Sequence, residues 1–268
     1  MKRTTIIFSA GIITFSLLAF GVINWNNLHL DTLEASEGND IAINTPSKMK
    51  QPVFTDFIYD VSPRFASIKK TDIDKARSID DFLDLDQLES IVILKSISVI
   101  IIKSDKQTDI REIGYTKELT PKQLELLQSS DYSTNFLVRA EFQEKNNDTG
   151  KLVDNYATPH HTIVPERQAT YLHGKKALIK YLKENSMEAR NKANVEVEKL
   201  KPAKLYFTVT KNGSIENVKL DRSSNYPLID KAIIELINKV PGKWSPAENI
   251  KGEKIDQELV VSFGLMGC

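Results

Sequence analysis

The sequence predicts an α+β protein with an N-terminal membrane helix, a middle α+β domain, and a C-terminal domain in which a helix packs on a small antiparallel sheet. Three observations support this prediction. Residues 4–23 carry no charge, residues 53–166 mix helical and strand periodicities, and the last third reads strand, turn, strand, helix, strand. The predicted boundaries are 1–24 for the membrane anchor, 25–52 for a linker, 53–166 for the middle domain and 167–268 for the C-terminal domain.

The uncharged segment 4–23 predicts a single membrane span. At about 1.5 Å per residue, a helix of this length crosses a hydrocarbon core of roughly 30 Å. Lys2 and Arg3 precede it, and the positive-inside bias places that end in the cytoplasm. A cleaved signal peptide is the alternative, with a weak small-x-small site at Ala19-Phe20-Gly21, but the apolar run exceeds the usual signal core. Both interpretations export the rest of the chain.

Three hydroxyl residues, Thr5, Ser9 and Ser16, lie along one side of the predicted membrane helix. Such hydroxyls can hydrogen-bond a neighbouring helix, which makes them the predicted coupling positions, or they can bond their own backbone carbonyls. The segment after the helix is polar and mixed. Only Pro46 and Pro52 occur in it or at its edge, so it is not a stiff polyproline spacer.

The composition limits the function. Lys plus Arg and Asp plus Glu number 36 each, and this balance argues against nucleic-acid or anionic-surface binding as the main task. A single cysteine, Cys268, excludes an internal disulfide, so stability must come from packed cores. Roughly 240 residues beyond the anchor suit two modest domains.

The middle domain shows its own order of elements. A helix is predicted to begin at 72–76, followed by an apolar, β-rich run at 91–102 and a helix capped by Thr120. Phe136, Val138, Ala140 and Phe142 alternate as in a half-buried strand. A turn at 147–150 and an extended piece at 162–165 complete a second α+β domain.

No metal, cofactor or catalytic site is predicted. His160 and His161 are adjacent, so in a strand they face opposite ways, and no ligand residue lies at metal-site spacing beside them. An acidic series lacks the glycine and final glutamate of a calcium loop and is interpreted as a solvated helical face. Because no polar residues converge, we predict that the protein is not an enzyme, with an envelope enzyme as a minor alternative. The acidic series is Asp72, Asp74, Asp80, Asp81, Asp84, Asp86 and Glu89.

The C-terminal domain begins with a predicted hairpin. Leu205, Phe207 and Val209 share one parity of a strand, and Asn212-Gly213 is a strong signal for a two-residue turn with positive φ values. The second strand spans 215–220. Its parity slips, so either Ile215 lies in the turn or the strand carries a bulge.

A helix and a third strand follow. Pro227 lies in the first turn, an apolar stripe runs along one face, and Pro241-Gly242 ends the helix. Burying such side chains contributes roughly 1.5 to 3 kcal/mol each before entropy is subtracted. The stripe is Ile229, Ile233, Leu236, Ile237 and Val240, and the third strand shares one parity at Ile255, Leu259, Val261, Phe263 and Leu265.

This C-terminal segment resembles the C-terminal domain of TonB energy transducers, in the form common among Bacteroidetes. The order and spacing of several short motifs carry the resemblance. They are the helix at 171–185, the hairpin at 207–218, Arg222-Ser223-Ser224, Asp230 with Ala232, Pro241-Gly242-Lys243-Trp244-Ser245-Pro246-Ala247, Lys251-Gly252-Glu253-Lys254, and Val261-Ser262-Phe263.

The resemblance implies a single-pass inner-membrane protein with a periplasmic C-terminal part. Members of the family transmit proton-motive energy to outer-membrane transporters and hold a short peptide of the transporter by strand addition. The implied partners are an outer-membrane TonB-dependent receptor or another envelope protein, a proton-driven inner-membrane motor complex, and a second copy in a homodimer. The predicted binding edge is the last strand, at Gln257, Leu259, Val261 and Phe263.

Two departures from the family pattern favour an alternative function, because the membrane helix has no His and the linker is not proline-rich. A third departure concerns how the helix at 171–185 docks, since residues 186–201 lack the usual Tyr-Pro pair and glycine-containing entry. The alternative is an envelope scaffold or adaptor without energy input. The middle domain is similar to a repeated periplasmic domain of GldM, the shaft protein of the gliding and type IX secretion motor, which would make the scaffold part of such a machine. That similarity rests on 68–73, Val99, 119–123, Asn135-Phe136 and 148–150.

Overall fold

A computed structural model describes residues 57–265, which contain six α-helices, a six-stranded sheet, a four-stranded sheet and two short two-stranded pairs. The predicted membrane helix with Thr5, Ser9 and Ser16, and the predicted linker, lie outside the described residues. Among the helices of residues 57–265, none has both the length and the apolar character to cross a bilayer. The helices are α1 (Lys70–Lys75), α2 (Leu85–Ser90), α3 (Pro121–Gln128), α4 (Lys175–Asn185), α5 (Met187–Ala193) and α6 (Pro227–Asn238), with short 3-10 turns at Ile79–Asp81 and Val197–Lys199.

The strands divide between a larger middle sheet, a smaller C-terminal sheet and two short two-residue pairs. The predicted α+β class is confirmed for these residues. The strands are β1 (Ile58–Ser62), β2 (Ala66–Lys69), β3 (Ile93–Lys103), β4 (Lys106–Gly114), β5 (Asn135–Lys145), β6 (Leu152–Ala157), β7 (His160–Val164), β8 (Thr170–Tyr171), β9 (Ala203–Val209), β10 (Ile215–Arg222), β11 (Trp244–Ser245), β12 (Ala247–Glu248), β13 (Lys254–Ile255) and β14 (Gln257–Gly264).

The middle sheet has six strands. Five follow the order β2-β7-β5-β3-β4, and β6 pairs with the C-terminal half of β5. Its central strands are apolar enough to be buried on both faces. Ile97, Val99 and Ile101 join the core beneath α1 and α3, whereas Ile100 and Ile102 form a smaller cluster with Leu137.

Helix α3 shows how the sequence fixes a local element in this sheet. Thr120 and Gln123 form a capping box, and Pro121 occupies the first turn, where its missing N–H costs nothing. The buried Gln123 amide also donates to the Ile97 carbonyl at 2.9 Å. The cap therefore attaches the helix to β3 as well as starting it.

The C-terminal sheet has four strands in the order β1-β14-β9-β10, all antiparallel. Helices α4 and α6 contribute Leu178, Leu182 and Ile233 to the core on one face. Residues 260–264 of β14, which include Val261 and Phe263 of the predicted binding edge, are paired with β1. Strand β1 falls within the range 53–166 predicted for the middle domain, but it pairs in the C-terminal sheet.

The β9–β10 hairpin differs in its turn from the prediction. Gly213 has a positive φ of 78° but Asn212 does not, and the Gly213 amide donates to the Thr210 carbonyl at 2.8 Å. The connection is therefore a longer loop closed by Thr210 and Ser214, not a two-residue turn. The parity slip in β10 is a bulge, with Asn217 at a φ of 55° and a register shift between Glu216 and Lys219.

The start of α6 depends on one buried carboxylate. The Asp230 side chain accepts hydrogen bonds from the Ser224 amide at 3.0 Å and from the Ser223 hydroxyl at 2.5 Å. These serines lie in the segment that enters the helix, and Pro227 occupies its first turn. A single Asp therefore fixes the path from β10 into α6, which accounts physically for Ser223-Ser224 and Asp230 among the motifs of the resemblance.

Candidate partner-binding edge

The four predicted partner-binding side chains point into the molecule. Leu259, Val261 and Phe263 belong to the core beneath the helices, and Gln257 is buried beside it. The side-chain oxygen of Gln257, Oε1, accepts a hydrogen bond from the Ala169 backbone amide at 2.7 Å. These side chains hold β14 in place, so only its backbone could bind a partner directly.

The backbone of β14 is covered unequally on its two sides. Strand β9 pairs with residues 257–263, whereas β1 pairs only with residues 260–264. On the uncovered portion, the Glu258 amide donates to the Ser133 hydroxyl of the middle sheet's connecting loop at 3.1 Å. The margin of β14 is therefore divided into a part occupied by β1 and a short part that β1 does not reach.

Strand β1 occupies the margin as an amphipathic strand. Tyr59 and Val61 are buried and the other three residues of the strand are half-buried. Phe57, just before the strand, is buried as well and continues the alternation. The Phe57 ring stacks 6.5 Å from that of Phe263, centroid to centroid. Apolar contacts as well as ladder hydrogen bonds thus hold β1 on β14.

Two polar residues at and after the junction of α4 and α5 contact the buried side chains of β1 and of the residue before it. The Tyr59 hydroxyl hydrogen-bonds the buried Ser186 hydroxyl, and the Arg190 guanidinium lies 5.3 Å from the Phe57 ring centroid. Burial raises the pKa of Tyr59, more than Ser186 and Arg190 lower it. The phenol therefore stays neutral and can donate or accept at this position.

An ion pair fixes the outer side of β1. The Lys175 ammonium lies 2.6 Å from a carboxylate oxygen of Asp60, and the Ser62 hydroxyl donates to the same carboxylate at 2.8 Å. Burial alone would raise the pKa of Asp60, but the bonds from Lys175 and Ser62 outweigh it and lower that pKa. The first turn of α4 thus recognises an acid between the two buried residues of the strand.

A small apolar cleft of about 260 Å³ opens where β1 ends. It lies beside the part of β14 that β1 leaves uncovered, and Lys175 lines it as well. Its apolar lining includes Val61, Tyr171, Leu178, Trp244 and Leu259. The uncovered part of β14 therefore borders an apolar cleft.

The opposite edge of the sheet, β10, is less suited to strand addition. Two register shifts interrupt its pairing with β9, and such bulges twist an edge away from a flat partner. Its last residues are also engaged, since Arg222 bonds Asp105 at 2.5 Å. The margin of β14 is thus the better candidate for an added strand.

An ion-pair cluster joins the two sheets directly after β1. The Arg64 guanidinium lies 2.7 Å from Asp105, in the β3–β4 turn, and 2.9 Å from Asp221, in β10. Only 6% of the Arg64 side chain is exposed, so the cluster is largely shielded from solvent. The path of the chain after β1 is therefore fixed.

The charges of this cluster shift the pKa values of the carboxyl groups in it and beside it. Burial acts to raise the pKa of Asp105. The hydrogen bond from Arg64 and the positive charges of Lys204 and Arg222 outweigh burial and hold the pKa of this carboxyl below its usual value. Nearby Glu258 behaves in the opposite way, because burial and the Asp221 charge raise its pKa against the opposing effect of Arg64.

The comparisons with known proteins address the C-terminal segment. Residues 202–265 match the family model described as the Gram-negative bacterial TonB protein C-terminal. This segment is similar to the C-terminal domain of the TonB family. No curated protein and no solved structure matches the chain. The predicted resemblance to TonB is confirmed for this segment, whereas the resemblance of the middle domain to GldM stays a prediction.

The matched family has a known general character, and the match concerns residues 202–265 alone. TonB-family proteins are membrane-anchored with a periplasmic C-terminal domain, and that domain is a non-enzymatic interaction module. The His160–His161 pair is split between two settings, His160 beside Phe65 and His161 against Phe82 and Phe136. Within residues 57–265 no three His, Cys, Asp or Glu residues are arranged to hold a metal ion.

Sequence reasoning missed the element that matters most for this edge, β1. A signal was present, because Phe57, Tyr59 and Val61 share one parity and Pro63 ends the run. Parity alone could not assign the strand to a sheet. The ion-pair cluster was missed for the same reason, since Arg64, Asp105 and Asp221 are far apart in sequence.

Proposed function

We propose that the protein is a membrane-anchored envelope protein whose TonB C-terminal domain binds an extended segment of an outer-membrane receptor or another envelope protein by strand addition to β14. The observation that supports this is β1 itself. It comes from a distant part of the chain, pairs antiparallel with residues 260–264, and buries alternate side chains beside α4 and α5. The residues that position this margin are Gln257, Leu259, Val261 and Phe263.

In-cell photo-crosslinking of the full chain tests the proposal. A crosslinking amino acid at Thr170, an exposed residue of β8 that lines the cleft beside β14, should capture an outer-membrane receptor, and the captured residues should map to one extended segment. The matched control is Lys122, an exposed residue of α3 on the middle sheet. Equal capture from both positions, or capture of folded surfaces only, would contradict strand addition.

Energy transduction is the finer part of the proposal, and it depends on the predicted membrane helix. If the protein couples to a proton-driven motor, a crosslinker at Ser9 should capture a motor subunit. The same group at Ile7, on the far side of a helix from Thr5, should not. The scaffold function is favoured instead by the lack of His in residues 4–23 and by the proline-poor linker. It predicts no capture from Thr5, Ser9 or Ser16.

A further inference from the structure

We propose that β1 is a built-in competitor for the partner site, and that partner segments carry its chemistry: apolar or aromatic residues at three alternate positions, with an acid between the last two. This inference rests on the proposed function and adds to it the regulation and ligand class of the same edge. In the resting chain the site would be closed, and a partner would bind by replacing residues 57–62.

The first argument is the fit of alternate side chains. Phe57, Tyr59 and Val61 are all buried in the C-terminal core, while Ile58 and Asp60 between them are half-buried. An extended segment that binds here must fill the same three positions, because otherwise it would leave apolar volume empty beside Phe263. The spacing therefore selects aromatic or aliphatic residues at every second position.

The second argument is the polar recognition around those positions. Ser186 hydrogen-bonds the Tyr59 hydroxyl, and Lys175 bonds Asp60 at 2.6 Å. Lys175 lies in α4 and Ser186 joins α4 to α5, so both partners would remain after β1 leaves. A tyrosine followed directly by an acid would satisfy both groups, which gives the site a sequence preference beyond simple apolarity.

The third argument is that β1 can leave without the rest of the fold. Its ladder comprises five residue pairs, and Pro63 ends it. Immediately afterwards the buried Arg64 bonds Asp105 and Asp221. These bonds anchor the chain beyond the strand, so exchange is confined to residues 57–62 while both sheets stay joined.

A cross-strand lock in the full chain tests the inference. Asp60 and Ser262 are register partners, and paired cysteines at such positions lie close enough for a disulfide. Cys268 is changed to Ser in the same chain. The probe is a fluorescent peptide with the sequence of residues 57–63, and a scrambled peptide is the negative control. We expect no binding to the oxidised D60C/S262C chain and recovery on reduction.

A second variant opens the site instead of locking it. In the Tyr59→Ala, Val61→Ala chain, the internal strand competes poorly, so the peptide should bind at least about tenfold more tightly than to the wild type. The amides of Val260 and Ser262, which face β1 because alternate residues of an antiparallel strand donate to opposite sides, should exchange with solvent at least about tenfold faster. A matched lock within the middle sheet, S98C/R139C across β3 and β5, should leave peptide binding unchanged.

The outcomes separate this inference from the proposed function. Equal peptide affinity for the oxidised and reduced D60C/S262C chains would overturn the competitor role of β1. Equal capture of a receptor from Thr170 in the locked and unlocked chains would also overturn it, while leaving partner binding intact. Peptide binding as expected, with no receptor captured from Thr170 in any variant, would support the competitor role and reject the receptor as partner.

Discussion

The two sheets of this protein differ in how their margins are protected. In the C-terminal sheet, β1 covers one margin and bulges interrupt the other. In the middle sheet, five of the six residues of β6 are exposed, including Leu152, Val153 and Tyr156. The smaller sheet is thus closed by a strand brought from far along the chain, whereas the larger sheet leaves apolar side chains exposed at one end.

The difference teaches where a strand contributes to stability and where it contributes to recognition. Both faces of β14 are covered, since Val261 faces the helices and Val260, of opposite parity, is only 2% exposed. Because the side chains on both faces of β14 are fixed by packing, the only contact of this strand that can change is the strand that pairs with its backbone. In β6 the backbone is paired on one side only and the side chains are solvated, so it adds little to the core.

The largest effect on stability should come from truncating one buried phenylalanine in the core of each sheet. Phe207→Ala in β9 and Phe136→Ala in β5 should each lower the free energy of unfolding by about 3 to 5 kcal/mol, because both rings are fully buried. Chemical denaturation monitored by circular dichroism measures this. Since ion pairs join the sheets, we expect one cooperative transition in both variants. Two separated transitions would show that the sheets unfold independently.

A smaller effect should separate close packing from backbone strain. At Gly213 an added Cβ would lie 2.5 Å from the Trp244 carbonyl oxygen, whereas at Gly252 it would meet open space at a similar positive φ. Gly213→Ala should therefore cost about 2 to 3 kcal/mol and Gly252→Ala about 1 kcal/mol. Thermal unfolding measures the difference. Equal costs would mean that the hairpin loop shifts away from Trp244 freely.

The junction between the sheets gives the next effect. Arg64→Ala removes two hydrogen-bonded ion pairs from a largely buried site and should cost about 2 kcal/mol. The cost is moderated because Asp105 keeps Lys204 and Arg222. The control is Arg167→Ala, whose ion pair with Glu248 is exposed and contributes under about 1 kcal/mol. Comparable losses in urea denaturation would argue against a special role for the cluster.

The smallest effect should appear as a dependence on pH. The pKa of Glu258 is raised in the folded state, so its contribution to stability is present below the unfolded value near 4.5 and is lost as pH rises through the folded pKa. Glu258→Gln should therefore stabilise the protein at pH 7, by under about 1 kcal/mol after solvent screening, and not at pH 4. Urea denaturation at both pH values tests this, with Glu216→Gln, an exposed change, as the control.

The C-terminal helix and strands were predictable because their signals are local. Leu205, Phe207 and Val209 alternate within one strand, and Ile229, Ile233 and Ile237 recur at helical spacing. Each pattern follows from the geometry of its own element. In the middle domain, β3, β5 and α3 were predicted from equally local patterns. Strands β4 and β6 were missed because exposed residues break their alternation.

The sequence by itself determined which residues form the C-terminal elements and which face of each is buried. It also gave the resemblance that the family match confirms for residues 202–265. Only the tertiary structure decided that β1 covers β14 and that Arg64 joins the sheets. The physical reason is that ladder hydrogen bonds use backbone groups common to nearly every residue. Side-chain periodicity therefore specifies the face of a strand, whereas its neighbour is set by contacts between distant parts of the chain.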